Sequence, residues 1–327
     1  MVKCCGSTSA AANPSLPNNP RMLQLYTHPA CRQHDPGPGH AERPARLKAV
    51  LQALDHDRFA ALERIDAPLA THEQLSRVHS AAHIEHILSS APRESTVQLD
   101  PDTFMSPGSV EAALRAAGAV VAAVDAVLAG DIQRAFCAVR PPGHHATRDQ
   151  AMGFCLFNNI AVAAAHALAV HGLKRIAIAD FDVHHGNGTQ AIFEREPRVL
   201  FVSSHQSPLY PESGREDERG VGNIVNATLS PGAGSYEFRE LWESVLLPRL
   251  YAFKPQLVLV SAGFDAHRND PLADIRLGHE DYAWITERLV ALAHTHASGR
   301  LVSTLEGGYE LTALAASASA HVSALTD

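Results

Sequence analysis

Residues 180–188 read DFDVHHGNG directly after the apolar run RIAIA. Ionised carboxylates at the end of a buried strand are costly unless they bind a cation or are neutralised by a network. Asp182 and His184 are two residues apart, so on an extended segment both side chains project to one side, and Asp180 shares that parity. Asp265, in the run VSAGFDAH, is the best-placed third ligand. Two carboxylates and one imidazole make a hard, oxygen-rich set with room for water and substrate, which suits Zn²⁺, Fe²⁺ or Co²⁺. An ion-paired loop would also account for the acids, but the run itself contains no Arg or Lys to pair with them.

His144 and His145 follow RPPG, where the prolines stiffen the approach and Gly143 permits close backbone contact. An adjacent pair of histidines is unremarkable alone; facing a metal cluster, imidazoles oriented by a carboxylate or amide serve as base and acid. Tyr309 follows Gly307 and Gly308, and a phenol presented there is a suitable donor to an oxyanion developing on a carbonyl.

These residues need a scaffold that brings distant stretches together. From Ser106 onward helical and strand patterns alternate. A striped helix is stopped by Gly130 and followed by the strand IQRAFCAV, and NNIAVAAAHALAVHG is a second helix with Gly172 placed to cap it. Strands RIAIADFD, RVLFVSSH, QLVLVSAGFD and RLVSTLEGG follow, separated by the helices TQAIFERE, YEFRELWESVLLPRL and EDYAWITERLVALAHTHA, with a last helix from Glu310. Before Ser106 an extended piece, MLQLYTH, leads to a Pro- and Gly-rich loop and a helix near ERPARLKAVLQAL. Repeated βα units predict a parallel sheet covered by helices on both faces, with ligands outside the carboxyl ends of the strands. The polar clusters at 144–145, 180–185, 203–205, 263–267 and 306–309 each follow an apolar strand.

The chain has 327 residues, 46% hydrophobic and 19% charged, with net charge −8 and scattered basic residues, so it carries no electrostatic footprint for nucleic acid. Five cysteines without CxxC spacing point to a reducing compartment. Residues 1–21 lack an apolar signal region and read as a flexible leader, and no window has the roughly 18 unbroken apolar residues of a membrane span. The expectation is one domain over residues 22–327, cytoplasmic, with self-association left open.

Taken together, RPPGHHA, GFCLFNN, DFDVHHGNG, SAGFDAHRNDPL and LEGGYEL resemble the zinc-dependent histone deacetylase superfamily, in particular its class II-like branch with the bacterial amidohydrolases, related to acetylpolyamine amidohydrolases. The resemblance implies the arginase/deacetylase fold, an α/β domain around an eight-stranded parallel sheet. It implies a catalytic Zn²⁺ on Asp182, His184 and Asp265, with His145 as base and acid, His144 as electrostatic partner and Tyr309 as carbonyl-polarising donor. Asp180, Ser203 and Ser204, with main-chain oxygens of Asp182 and His184, resemble a structural K⁺ site, and Asp180 also orients His144. Asn187 stands where class I members carry Asp to orient His145. Phe154 and Tyr210 resemble the walls of an acyl-lysine tunnel, with Gly153 beside its floor, Cys155 another wall residue, Leu272 on its rim and Arg43 near an acetate-release cavity.

The implied reaction is hydrolysis of an acetyl-lysine side chain or a similar N-acetylated alkylamine. An acetylpolyamine or small-metabolite substrate is the alternative; the polyamine-selective branch carries Glu where this chain has Leu272. A two-manganese ureohydrolase would need carboxylates at 186 and 267, where the chain has Gly186 and His267, and a non-catalytic acyl binder is expected to lose His145 or Tyr309.

Overall fold

The structure, a computed structural model, describes Met1 and residues 21–326. The expected leader therefore lies, apart from Met1 and Arg21, outside the described residues, as do Cys4 and Cys5. The described chain opens with β1 (Arg21–Thr27), α1 (Ala45–Ala53) and β2 (Glu63–Asp66). Two short helices, α2 (His72–Ser76) and α3 (Ala81–Ser89), lead to an antiparallel hairpin of β3 (Val97–Asp100) and β4 (Thr103–Met105). Alternation then sets in with α4 (Ser109–Ala129), β5 (Ile132–Cys137), α5 (Asn159–Ala169), β6 (Ile176–Asp180), α6 (Asn187–Phe193) and β7 (Val199–Gln206). After β8 (Ile224–Leu229), α7 (Ser235–Leu241) and α8 (Leu247–Phe253) precede β9 (Leu257–Ala262), α9 (His279–His296), β10 (Leu301–Leu305) and α10 (Leu311–Thr326).

Eight strands form one all-parallel sheet in the order β2-β1-β5-β10-β9-β6-β7-β8. The helices pack in two groups, α4, α5 and α6 in one and α1, α7, α8, α9 and α10 in the other, so that both sheet faces are covered. Strands β6, β7, β9 and β10 are buried at every residue, which is why they read as unbroken apolar runs. The two edge strands, β2 and β8, were not read from the pattern: β2 alternates in exposure and β8 contains Asn226 and Thr228.

Two local details differ from expectation, and a third bears on membrane crossing. Helix α5 ends at Ala169 with Val170 as its cap, and Gly172, at φ +67°, turns the chain two residues further on. The expected helix over residues 236–250 is interrupted by a π-helical turn at Trp242–Leu246, just ahead of Pro248, whose missing N–H breaks the regular ladder. Helix α4 is apolar and long enough to cross a membrane by composition, yet it is a core helix, with Ala116, Val120 and Val124 fully buried and its length packed on α5 and β5.

The five strands that carry the polar clusters, β5, β10, β9, β6 and β7, are consecutive in the sheet. Their carboxyl ends therefore share one rim, and Asp180 lies directly opposite both Ser203 and Ser261.

Candidate active site and metal centre

Strand β6 ends at Asp180, and the chain then bends instead of continuing extended. The bend is held by carboxylates: Asp180 Oδ1 accepts the Asp182 N–H at 3.1 Å, and Asp182 Oδ1 accepts the His184 N–H at 2.9 Å. Side-chain-to-backbone turns, not strand alternation, thus bring Asp182 and His184 together. Asp265, three residues beyond β9, joins them, its Oδ1 accepting the Val183 N–H at 2.9 Å. His184 Nδ1 lies 3.1 Å from Asp182 Oδ1 and 3.2 Å from Asp265 Oδ2, and the three ligand-capable atoms fall within 4.8 Å of one another. The Gly307 N–H reaches Asp182 Oδ2 at 2.8 Å, and a Cβ at Gly307 would sit 2.0 Å from Asp265 Oδ2, so a side chain there would collide with the site.

All three residues are buried, and among the described residues the groups within ion-pair distance of the two carboxylates are histidines alone. Burial opposes charge on His184, but Asp182 and Asp265 overcome it and hold the imidazole up at about 10. Burial and the facing Asp182 charge push the Asp265 carboxyl up. A buried dicarboxylate with an imidazole and no Arg or Lys is a donor set that fits a divalent cation.

The two histidines beside the cluster differ in partner. His144 Nδ1 is 2.9 Å from Asp180 Oδ2, whereas His145 Nδ1 is 2.7 Å from Asn187 Oδ1, and the rings are 4.0 Å apart. Burial disfavours the charged form of His144, yet Asp180 and Asp182 outweigh it and raise its pKa to about 10. Asp180, pushed by burial up to about 6, still titrates below its partner, so the pair is ionic with the proton on His144. His145 is driven well below the usual histidine range by burial and by the His144 charge. It is therefore neutral; donating Nδ1–H to Asn187 leaves its Nε2 lone pair free.

Gly153, Phe154, Tyr210 and Leu272 line one cavity of about 270 Å³ with His145, His184 and Tyr309. Asp102 and Leu209 complete the lining. The β3–β4 hairpin secures one wall: Asp102 Oδ1 accepts Gly153 N–H at 3.1 Å and Thr103 Oγ1 accepts Phe154 N–H at 3.0 Å. Gly153 packs so closely on His145 that a Cβ would meet its ring at 2.4 Å, and Phe154 is held at φ +68°, an uncommon conformation for a bulky residue. Tyr309 is buried edge-on to the Phe154 ring, and burial raises its hydroxyl pKa well above the ordinary value, so it remains a donor.

Several residues are placed differently from expectation. Arg43 is exposed, and the buried arginine beside Tyr309 is Arg46, one turn further along. The Arg46 guanidinium stands 4.7 Å from the Tyr309 ring centroid, donates to the carbonyls of Gly308 and Glu306, and pairs with Glu42 at 3.0 Å. The run HAERPAR holds both arginines, and only the register of α1 turns the second inward. Cys155 is fully buried behind the cavity, its S–H directed to the Gly153 carbonyl at 3.2 Å, and burial pushes its thiol pKa well up. Ser203 faces Asp180 across the strand pair with its hydroxyl on His205, while the Ser204 hydroxyl accepts the Trp242 N–H at 3.0 Å.

Two carboxylates with supporting roles were not singled out. Asp270 accepts the N–H groups of Leu272, Tyr309 and Glu310, tying the cavity lip to the phenol. Glu306 accepts the N–H groups of Gly143 and His144 and the Ser261 hydroxyl, fixing the histidine loop. Their signal in the sequence was a lone acid beside Pro271 and one beside Gly307.

The family model for the histone deacetylase domain matches residues 40–325. The chain belongs to the histone deacetylase family. A histone deacetylase-like amidohydrolase from Pseudomonas aeruginosa is 45% identical over 279 residues, covering 83% of this chain and 73% of that protein. A probable deacetylase from Archaeoglobus fulgidus is 37% identical over 297 residues, covering 88% of this chain and 81% of its own. The crystal structure of the HDA15 HD domain superposes with a TM-score of 0.88 at 36% identity, covering 94% of this chain and 88% of that one. The fold is thus the arginase/deacetylase fold, and this histone deacetylase family member is a hydrolase of the deacetylase and amidohydrolase kind.

Proposed function

We propose that this family member is a zinc-dependent deacetylase that hydrolyses the acetamide of acetyl-lysine, or of a similar N-acetylated alkylamine, to acetate and free amine. The observation that carries this reading is the meeting of the Asp182–His184–Asp265 cluster, a neutral His145 and a protonated Tyr309 at one cavity. Asp182, His184 and Asp265 would hold the zinc, which supplies Lewis-acid polarisation of the carbonyl and acidifies water. His145 Nε2 takes the proton of the attacking water and returns it to the departing amine, while the Asn187 side chain holds the imidazole in the required tautomer. His144, ion-paired with Asp180, contributes a fixed positive charge beside the developing oxyanion. The Tyr309 hydroxyl donates to the carbonyl oxygen as charge grows there, and the Asp270 bond to its backbone keeps the phenol aimed.

Phe154, Tyr210 and Leu272 give the cavity an apolar wall that suits an alkyl chain, and Leu272 puts no carboxylate where the polyamine-selective branch has one, while the Asp102 carboxylate in the lining is bonded to the Gly153 N–H and the Thr103 hydroxyl, which favours acyl-lysine over a polyamine. Asp180, Ser203 and Ser204, with main-chain oxygens of Asp182 and His184, form the potassium position in this reading. The described cysteines, Cys31, Cys137 and Cys155, are free and buried, which supports a reducing, cytoplasmic setting.

The test compares turnover of acetyl-lysine peptides and acetylated polyamines before and after chelation. Loss on chelation, recovery with Zn²⁺ or Co²⁺ and a faster rate on the peptides are expected. Full activity in the metal-free protein would overturn the metal assignment, and a faster rate on polyamines would overturn the substrate assignment.

A further inference from the structure

A second group of metal-competent side chains lies where α4 packs on α5, on elements separate from the catalytic cluster. Asp125 belongs to α4, His166 to the last turn of α5, and His171 to the segment just beyond it. The Nε2 atoms of His166 and His171 are each 2.7 Å from one oxygen, Asp125 Oδ1, and the three ligand-capable atoms lie within 4.8 Å of one another. The two rings, 5.6 Å apart and inclined at 66°, converge on that oxygen. We propose that Asp125, His166 and His171 form a second metal site for a borderline divalent cation such as Zn²⁺.

The donor set is two imidazoles and a carboxylate, which zinc takes when a remaining position is left for water. Two of the donors stand on packed helices, so little ordering is needed to assemble them. The His166 side chain is 7% exposed, His171 27% and Asp125 49%, which leaves the site open to a solvated ion. The neighbouring Arg77 sets the affinity. Its guanidinium donates to His166 Nδ1 at 3.0 Å, which holds the proton on Nε2, facing Asp125. Binding a cation at Nε2 moves that proton to Nδ1, leaving the imidazole neutral, and Arg77 must then turn away. Glu73, already 2.7 Å from Arg77, is positioned to receive it. The cation and the Arg77 contact are therefore mutually exclusive.

This makes Arg77→Gln the informative variant, because a side-chain amide oxygen can accept the Nδ1–H that zinc binding creates. Outer partners of this kind typically change metal affinity by about 10- to 100-fold. The untagged, zinc-loaded full chain is dialysed to equilibrium against graded ZnCl₂ and its bound zinc counted. Expected is an equivalent that His171→Ala and Asp125→Ala lose, that Asp182→Ala retains, and that Arg77→Gln binds about tenfold more tightly or better, with deacetylase turnover unchanged by Arg77→Gln and His171→Ala. Equal zinc in wild type and His171→Ala, or no His171-dependent zinc even in Arg77→Gln, would overturn the site. Failure of the catalytic reading shows separately, as retention of every equivalent in Asp182→Ala.

Discussion

In the proposed reaction Tyr309 and His145 serve different atoms, Tyr309 donating to the carbonyl oxygen and His145 carrying a proton from water to the departing amine. Losing an oxyanion donor typically costs about 100- to 1,000-fold in turnover, so Tyr309→Phe is expected in that range with zinc content unchanged; a near wild-type rate would remove it from the mechanism. His145→Ala should keep the metal, since its Nδ1 binds Asn187 and not the cluster, while losing turnover through absent proton transfer. Asp182→Ala should lose the metal itself, and metal analysis of the two variants side by side separates proton carrier from ligand. Cys155→Ala is expected to retain turnover, because the thiol is sealed behind Gly153 and held protonated; an inactive, folded variant would point to a cysteine nucleophile.

The elements set how near these residues come to one another. Helix α4 runs so close to the segment Pro68–Ala70 that a Cβ on Gly118 would lie 2.1 Å from the Pro68 carbonyl oxygen. Gly118→Ala should therefore destabilise the fold by about 1–3 kcal/mol, the usual cost of overpacking. Thermal unfolding reads the loss, while turnover per folded molecule stays the same; an unchanged melting temperature would mean that α4 moves away freely. The six central strands were legible because burial on both faces writes an apolar run into the sequence. The edge β2 and the hairpin β3–β4 were not, since one solvated face or a few-residue length leaves no such run, and in the largely buried β8 the polar Asn226 and Thr228 interrupt it. That hairpin nonetheless supplies Asp102 and Thr103, which hold the cavity wall.

At the scale of the whole molecule, buried histidines tie stability to pH. Burial holds His79 and His321 down at about 3, so both stay neutral in the folded chain, while each protonates near the ordinary 6.5 when unfolded. Between those values the unfolded chain binds more protons, so stability rises with pH and is lost as pH falls from about 6.5 toward 3. The slope is about 1.4 kcal/mol per pH unit for each histidine. The unfolding midpoint should therefore drop steadily between pH 6 and pH 4, and His321→Gln should shallow that slope; a midpoint insensitive to pH over this range would refute the linkage.

What the sequence determined by itself was the set of chemistry-bearing residues and the parallel α/β frame, because strand-end motifs and apolar runs are local properties. Asp182, His184, Asp265, His144, His145 and Tyr309 could all be named from their own neighbours. Which arginine faces Tyr309 was decided by tertiary structure, since Arg43 and Arg46 share one short run and only the packing of α1 on the Gly307–Gly308 turn buries the second. The same holds for Asp270 and Glu306, whose work is to bind backbone N–H groups tens of residues or more away in sequence. It holds for the Asp125–His166–His171 group as well, where two helices must pack before the donors meet. A contact between distant residues leaves no mark on the local pattern of either, so it exists only once the chain has folded.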